Sequence, residues 1–266
     1  MTNIGFIGAG NMGSAIMKGI LSGDNSGDVK LFAFDKSETA LEKAKAMGAV
    51  GMSTAAEVVS CCKYVFFAIK PQQLDEVLDE VAAEVTEDTV IVSILAGVTD
   101  VYYANRTVPG AKVVLVMPNT PFLLGEGATA LSRSDTVTDE EFDLVCKVFS
   151  SGGTAMVIPK DKMKEIIAIN GSSPAFIYLY AKAFIDYAES VGIGRAAATE
   201  LFAKSLIGSA KMITDSGRSI DELIEMVSSK GGTTIAGLEK LREGKLENTV
   251  AECCKACTKR AYELSK

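Results

Sequence analysis

The amino-acid sequence predicts an α/β domain followed by an all-α domain. From Asn3 to about Val157, apolar runs of strand length alternate with amphipathic segments of helix length, which is typical of βα units that build a mostly parallel sheet. Beyond Lys160 the strand-like runs cease and Ala-rich helical patterns take over. This change predicts two domains, residues 1–160 and residues 161–266.

Five strands are predicted in the first domain and five helices in the second. The strands are residues 3–8, 29–34, 64–68, 89–94 and 112–117, and the helices are residues 162–190, 195–216, 220–227, 233–243 and 247–265. Residues 64–69 are apolar throughout, as expected for a strand covered on both faces. Residues 175–188 are apolar around most of the predicted helix, so we expect a second subunit to cover part of that surface.

Composition and charge exclude several classes of protein. The 266 residues carry a formal net charge of −7 and no stripe of Lys and Arg, so nucleic acid is not an expected partner. The chain opens on a strand-like pattern without a basic leader and contains no run of 18 apolar residues, which predicts a cytoplasmic protein without a membrane segment.

The six cysteines indicate reduced thiols, as in a reducing compartment. Cys254 and Cys257 form a CxxC pair, but the chain has no second such pair and no histidine. We therefore expect no metal site.

The first predicted strand runs into a GxGxxG motif, Gly8-Ala9-Gly10-Asn11-Met12-Gly13, which opens a helix. In such a motif Gly8 makes the tight turn, Gly10 lets the backbone approach a pyrophosphate, and Gly13 lets helix and strand pack closely. The N–H groups of the helix then face the phosphates. The motif predicts a Rossmann-type domain that binds NADH or NADPH.

Asp35 directly follows the second predicted strand, where an acidic residue accepts hydrogen bonds from the adenosine ribose and favours NAD. Lys36 and Ser37 follow directly and are able to receive a 2′-phosphate instead. The sequence leaves the choice between NADH and NADPH open.

Two loops at the carboxyl ends of predicted strands are further candidates, because ligands of open α/β sheets bind outside those ends. One contains Ala68, Ile69, Lys70 and Pro71, and the other contains Ile94, Leu95, Ala96 and Gly97. Each is equally compatible with an ordinary turn from strand to helix.

The absence of histidine also bears on the reaction. A 2-hydroxy acid dehydrogenase commonly uses His to remove the alcohol proton, and this chain has none. A cyclic imine fits better, because its protonated form already accepts a hydride and the protein has only to orient it, hold its carboxylate and exclude water.

A loop rich in glycine and hydroxyl groups, residues 227–232, runs into the helix predicted from residue 233. Free backbone N–H groups at such a helix N-terminus are able to bind a carboxylate. The alternative is a simple helix cap in which Thr233 caps the helix and the loop has no other role.

Several motifs, taken in order, resemble the pyrroline-5-carboxylate reductase family. They are IGFIGAGNMGSAI, FFAIKPQQ, VSILAGV, VMPNTP with the following GEGATAL, NGSSPAF and SSKGGTTIAGLEKL. The resemblance covers nearly the whole chain, and its Gly-Gly-Thr-Thr block is specific, unlike GxGxxG. It implies reduction of 1-pyrroline-5-carboxylate to L-proline by NADPH or NADH, and a helical domain that forms a homodimer or a ring of dimers.

The resemblance also implies roles for individual residues. The phosphates of the cofactor are expected against Ile7, Gly8, Ala9, Gly10, Asn11, Met12 and Gly13. Its ribose is expected beside Asp35 and Lys36, and its nicotinamide half against the loops Ala68, Ile69, Lys70, Pro71 and Leu95, Ala96, Gly97. The substrate carboxylate is expected on Ser229, Gly231, Gly232, Thr233 and Thr234, with Thr234 as the catalytic residue that hydrogen-bonds the ring nitrogen.

Two motifs depart from the family pattern. Lys230 stands where proline usually follows Ser229, and Ser173 replaces a glycine in Gly171-Ser172-Ser173-Pro174. Both leave the reaction class intact but leave the substrate range open, including a six-membered imine acid.

Two other functions are compatible with parts of the sequence. A β-hydroxyacid dehydrogenase shares the opening motif and a helical second domain, but it requires a catalytic Lys after a Gly-rich turn, and Lys182 lies too far along the chain. A non-catalytic NAD(P)-sensing protein would have no evident use for the loop from Gly231 to Thr234.

Overall fold

The computed structural model describes residues 1–22 and 28–265, which divide into two compact units. The first unit contains Met1–Pro174 and the segment that begins at Cys257. The second contains Ala175–Ala256. We refer to them as the sheet unit and the helical unit.

The described residues of the sheet unit form an eight-stranded sheet with the order β3-β2-β1-β4-β5-β6-β7-β8. β7 runs antiparallel to β6, and every other neighbouring pair is parallel. From β1 the chain adds β2 and β3 on one side of β1, and it then crosses over to add β4 on the other side. Dinucleotides bind at such a switch point, outside the carboxyl ends of the strands. The predicted Rossmann-type α/β fold is confirmed. The strands are β1 (Thr2–Ile7), β2 (Val29–Phe34), β3 (Val50–Gly51), β4 (Tyr64–Phe67), β5 (Val90–Ser93), β6 (Lys112–Met117), β7 (Gly127–Arg133) and β8 (Gly153–Val157).

Helices cover both faces of this sheet. They are α1 (Asn11–Ser22), α2 (Glu38–Ala46), α3 (Ala55–Cys61), α4 (Leu74–Val81), α5 (Asp100–Arg106) and α6 (Asp139–Ser150), with 3-10 turns at Pro71–Gln73, Ala82–Glu84, Thr120–Leu124 and Lys160–Lys162. Four of them, α2, α3, α5 and α6, have a hydroxyl residue as the N-cap. These residues are Ser37, Thr54, Thr99 and Thr138, and the side chain of each accepts a hydrogen bond from a backbone N–H of the first turn.

The core has two layers, one on each face of the sheet. Side chains of β4 alternate between them: Tyr64 and Phe66 belong to the layer under α1 and α6, whereas Val65 and Phe67 belong to the layer under α3 and α4. All four are buried. The expectation that this strand is covered on both faces is confirmed.

The five predicted strands are present, but β3, β7 and β8 were not predicted. β3 has two residues, and β7 reads Gly-Ala-Thr-Ala-Leu-Ser-Arg, in which small and polar residues replace a long apolar run. β8 lies at the edge of the sheet with largely exposed residues. None of the three carries the periodicity by which a buried strand is recognised.

The helical unit is built from α7 (Ser173–Ser190), α8 (Arg195–Asp215), α9 (Ile220–Met226), α10 (Thr233–Glu243) and the first part of α11 (Leu246–Glu263). The prediction of one helix over residues 162–190 is wrong in its first part. A π-helical turn, Ile167–Gly171, precedes α7. Pro174 has no N–H to donate and is accommodated only in a first helical turn, so α7 starts one residue before it.

The first unit extends to Pro174, so the boundary between the units lies later in the chain than the predicted boundary at residue 160. Met163 and Ile167 are buried in the core of the sheet unit, and Ala261 of α11 is buried in the same layer. Residues 161–174 and the end of the chain therefore pack with the sheet, although their sequence is helical in character.

The helical unit taken by itself exposes much apolar surface. Ala198 is the only residue of Ala175–Ala256 that is buried, while side chains such as Tyr178, Leu179 and Leu201 are more than 60% exposed. Large apolar side chains exposed together are typical of an interaction surface. None of the helices in residues 1–22 and 28–265 is both long enough and apolar enough to cross a membrane.

Candidate active site

The three glycines of the GxGxxG turn each meet a different structural demand. Gly8 has φ +103°, and a Cβ there would lie 2.5 Å from the carbonyl oxygen of Ala68. A Cβ on Gly13 would lie closer than 3.0 Å to the carbonyl oxygen of Gly8. A Cβ on Gly10 would meet no protein atom within 4 Å. Gly8 and Gly13 therefore serve the turn and the packing of helix on strand, and Gly10 leaves open space.

The turn suits an anion. Its residues lead into α1, whose first turn holds no acidic residue, so the positive end of the helix dipole is not neutralised locally. Ser14 donates its hydroxyl hydrogen bond to the carbonyl of Ala9 at 2.8 Å, which stiffens the turn. The free helix N-terminus and the space above Gly10 fit the pyrophosphate of a dinucleotide.

Asp35 lies where the sequence predicts it, directly after β2, but its carboxylate already has backbone partners. It accepts hydrogen bonds from the N–H of Ala9 at 2.7 Å and from the N–H of Ser37 at 2.8 Å. Asp35 thus ties the glycine-rich turn to the end of β2. Lys36 is half-exposed and pairs with Glu76 at 2.7 Å.

The loop with Ala68, Ile69, Lys70 and Pro71 continues from β4. The N–H of Ala68 donates to the carbonyl of Ile7 at 2.8 Å, so the loop starts beside the glycine-rich turn. The N–H of Lys70 donates to the side chain of Gln73 at 3.2 Å, and Pro71 opens a 3-10 turn.

The loop with Leu95, Ala96 and Gly97 continues from β5 and has a buried support. Tyr103 donates its hydroxyl to Ser93 Oγ at 2.8 Å, and Ser93 Oγ accepts from the N–H of Leu95 at 3.3 Å. Burial raises the pKa of Tyr103, so its hydroxyl stays protonated and remains a donor. Gly97 has φ +81°, a conformation that favours glycine.

These four segments follow β1, β2, β4 and β5, which are neighbouring parallel strands. Their carboxyl ends share one edge of the sheet, so the structure brings the candidate cofactor residues together at the switch point between β1 and β4. This is the place that binds ligands in open α/β sheets.

The second group of candidates lies in the helical unit. Gly231 has φ +73°, and Gly232 is the N-cap of α10, with no side chain capping the helix. The first turn of α10 contains no acidic residue. The alternative in which Thr233 serves as the cap is wrong, since Thr233 is the first residue inside the helix.

The loop before α10 is compact. The N–H of Gly232 donates to the carbonyl of Ser229 at 2.9 Å, and a Cβ on Gly232 would lie 2.6 Å from Ser229 Oγ. Ser229, Lys230, Thr233 and Thr234 are exposed within this unit. The arrangement presents two threonine hydroxyls and the N–H groups of a helix start side by side, which is suited to a carboxylate.

Known proteins match the chain over its whole length. A pyrroline-5-carboxylate reductase from Methanosarcina acetivorans is 34% identical over 264 residues, 99% of this chain and 98% of the relative. The chain belongs to the pyrroline-5-carboxylate reductase family. A pyrroline-5-carboxylate reductase from Escherichia coli is 33% identical over 99% of this chain and 98% of its own length.

Family models match both parts of the chain, and a solved structure resembles the whole of it. Residues 160–264 match the family model for pyrroline-5-carboxylate reductase dimerisation, and residues 3–97 match that for NADP oxidoreductase, coenzyme F420-dependent. The crystal structure of Plasmodium falciparum pyrroline carboxylate reductase with NADP bound has a TM-score of 0.88 at 27% identity, covering 100% of this chain and 98% of the other.

This member of the reductase family has a buried amide pair that the sequence interpretation missed. Asn170 donates from Nδ2 to the carbonyls of Met117 at 2.7 Å and of Ala128 at 2.9 Å. Asn119 donates to the carbonyl of Asn170 at 3.2 Å and accepts from the N–H of Ala128 at 2.9 Å. The pair joins the ends of β6 and β7 to the π-helical turn.

A signal for this pair was present in the sequence but carried no structural meaning by itself. Both residues lie in quoted motifs, Asn119 in VMPNTP and Asn170 in NGSSPAF. They are 51 residues apart along the chain. Only the folded sheet brings them together.

Proposed function

We propose that this protein reduces 1-pyrroline-5-carboxylate to L-proline, with NADPH or NADH as the reductant. The observation that carries the proposal is the full-length match to pyrroline-5-carboxylate reductases. The same match disfavours a β-hydroxyacid dehydrogenase, the alternative that shares the opening motif and a helical second domain. The cofactor segments at the sheet edge and the exposed threonine loop supply the chemistry that the reaction needs.

The residues of the sheet unit bind and orient the cofactor. The turn from Gly8 to Gly13 receives the pyrophosphate at the start of α1, Asp35 and Lys36 lie by the adenosine ribose, and the loops after β4 and β5 receive the nicotinamide half. The bound cofactor supplies a hydride to the imine carbon. The loops provide backbone and apolar side chains that exclude water from this transfer.

The residues of the helical unit hold the substrate. The N–H groups at the start of α10 bind its carboxylate, with Ser229, Gly231, Gly232 and Thr233 around it. Thr234 hydrogen-bonds the ring nitrogen and orients the ring. A protonated imine needs no acid to accept a hydride, and this agrees with a chain that has no histidine.

Thr234→Ala tests this assignment. Loss of one preorganised hydroxyl is expected to lower kcat about 10- to 1000-fold, measured as the initial rate with 1-pyrroline-5-carboxylate under NADPH and under NADH in parallel. Thr249→Ala, which removes an exposed threonine elsewhere in the helical unit, is the control. Unchanged turnover and KM in Thr234→Ala would remove Thr234 from the mechanism.

The wild-type assay also separates the remaining alternatives. Tight binding of NADPH or NADH without reduction of any imine would favour a sensor. Oxidation of 3-hydroxyisobutyrate without imine reduction would favour a β-hydroxyacid dehydrogenase. Activity with the six-membered imine acid in the same assay defines the substrate range.

We also propose that the chain forms a homodimer, alone or within a ring of dimers, through the apolar surface of α7 and α8. The nearly complete lack of buried residues in the helical unit and the match to a dimerisation model support this. Six free cysteines support a cytoplasmic location. Molar mass by light scattering distinguishes a monomer, which would contradict the proposal, from a dimer and a ring.

A further inference from the structure

The end of α11 packs directly against the loop after β5. A Cβ on Gly97 would lie 3.3 Å from the carbonyl oxygen of Ala261 and 3.5 Å from the Cα of Ser265. Ala261 is 7% exposed and shares a core layer with Leu95 and Val98. The last helical turn therefore touches the backbone of the loop without an intervening side chain.

This helical turn is held in place by contacts that do not involve the loop. Tyr262 donates its hydroxyl to Glu165 Oε1 at 2.8 Å. Lys164 Nζ donates to Ser265 Oγ at 3.0 Å and lies 4.6 Å from the centre of the Tyr262 ring. The turn is thus anchored to the segment before the π-helical turn by contacts in which the loop takes no part.

The far end of the loop is anchored to the same segment. Asp100, the first residue of α5, pairs with Lys160 at 2.7 Å, and the Asp100 side chain is 12% exposed. A cleft lies between these contacts, lined among others by Leu95, Gly97, Met117, Met163, Lys164 and Tyr262. The loop therefore spans a gap between the end of β5 and α5, with the last turn of α11 as its support in between.

We propose that the last turn of α11, through Ala261, is a positioning element for the loop Leu95, Ala96 and Gly97, and so for the nicotinamide half of the cofactor. The inference rests on the proposed function, in which this loop receives the nicotinamide. Close-packed interiors transmit small displacements instead of absorbing them, so added volume at Ala261 moves Gly97. The adenosine half of the cofactor binds at β1 and β2 and does not depend on this contact.

Ala261→Leu tests the proposal, with Ala256→Leu as the matched control at an exposed position of the same helix. Affinities for NADPH and for 2′,5′-ADP, which lacks the nicotinamide, are measured by fluorescence and calorimetry, with NADH and ADP as a parallel pair. Ala261→Leu is expected to weaken binding of the complete cofactor about 10-fold, the equivalent of a modest overpacking strain. Binding of 2′,5′-ADP is expected to stay within about 2-fold of the wild type, and the control variant to bind both as the wild type does.

Tyr262→Ala provides a second variant that adds no bulk and loosens the anchor of the turn. It is expected to weaken NADPH binding in the same selective way, by a smaller factor. Equal losses for NADPH and 2′,5′-ADP, or wild-type affinity for both in the two variants, would overturn the proposal. Failure of the proposed function is a different result, namely a wild-type protein that binds the cofactor but reduces no imine.

Discussion

Replacing Gly10 and Gly13 by Ala, one at a time, is expected to separate cofactor binding from folding. A Cβ on Gly10 meets no protein atom within 4 Å, and Gly10 is not among the glycines with positive φ. A Cβ on Gly13 would lie closer than 3.0 Å to the carbonyl oxygen of Gly8, and a backbone carbonyl cannot rotate away as a flexible side chain can. Substitution by Ala is therefore expected to affect cofactor binding at Gly10 and stability of the fold at Gly13.

The magnitudes follow from these distances. Overpacking at Gly13 costs about 1–3 kcal/mol, which at about 2–4 °C per kcal/mol lowers Tm by roughly 2–12 °C. Gly10→Ala is expected to keep or slightly raise Tm. Ala lowers the conformational entropy of the unfolded chain, which stabilises the fold by about 0.4–1 kcal/mol. In the proposed complex its methyl group fills space that the pyrophosphate needs. Losing one charge-assisted hydrogen bond, about 1.5–3 kcal/mol, weakens NADPH binding about 10- to 150-fold.

Calorimetric melting and NADPH fluorescence titration measure the two effects on the same samples. Wild-type affinity for NADPH and NADH in Gly10→Ala would show that the pyrophosphate does not lie over this turn. A wild-type Tm in Gly13→Ala would show that α1 is not held against β1 by this close approach. Each result would refute one half of the reasoning and leave the other half in force.

Three further substitutions test other contacts. Asp35→Asn removes a negative charge beside the proposed position of a 2′-phosphate, so the ratio of kcat/KM for NADPH to that for NADH is expected to rise about 2- to 5-fold in steady-state assays. Asn170→Ala leaves the carbonyls of Met117 and Ala128 without their donor, and urea denaturation is expected to show a loss of about 2–4 kcal/mol in unfolding free energy. Burial alone raises the pKa of Glu141, but hydrogen bonds from two lysines and a backbone N–H outweigh it and lower that pKa. Glu141 therefore stabilises the fold above the unfolded-state pKa of about 4.3 and loses this effect as pH falls further, so Glu141→Gln is expected to be less stable than the wild type at about pH 7 and to lose less stability on acidification. Equal pH dependence of the two proteins would contradict this assignment.

The parts of the fold that could be predicted from sequence are those in which local pattern and tertiary role coincide. β4 is apolar at successive positions because both of its faces are buried. Gly8 and Gly13 need glycine because of close contacts within the motif and with Ala68, which directly follows β4. The helix starting at Thr233 was predicted with its observed bounds. In such segments the burial or backbone requirement acts on residues that are close in sequence, so the residue pattern is enough to predict the structure.

The parts that could not be predicted depend on partners distant in the sequence. β7 is a strand because its backbone pairs with β6 and β8, while its own residues are too small and polar to indicate a buried strand. Asn170 has the composition of a turn residue, and only the carbonyls of Met117 and Ala128 give it a structural role. A single sequence contains no information about which distant carbonyls lack a donor.

The start of α10 shows how structure resolves an ambiguity that the sequence leaves. Five helices of the described chain begin with a Ser or Thr whose side chain caps the first turn: α2, α3, α5, α6 and α9. A hydroxyl at the cap would occupy an N–H group that a substrate carboxylate needs, and glycine at that position costs the helix only a few tenths of a kcal/mol. α8 also begins after a glycine, but Arg195 and three alanines follow it, whereas two threonines follow Gly232 in α10. An uncapped helix start with adjacent hydroxyl groups is therefore what the proposed carboxylate site requires.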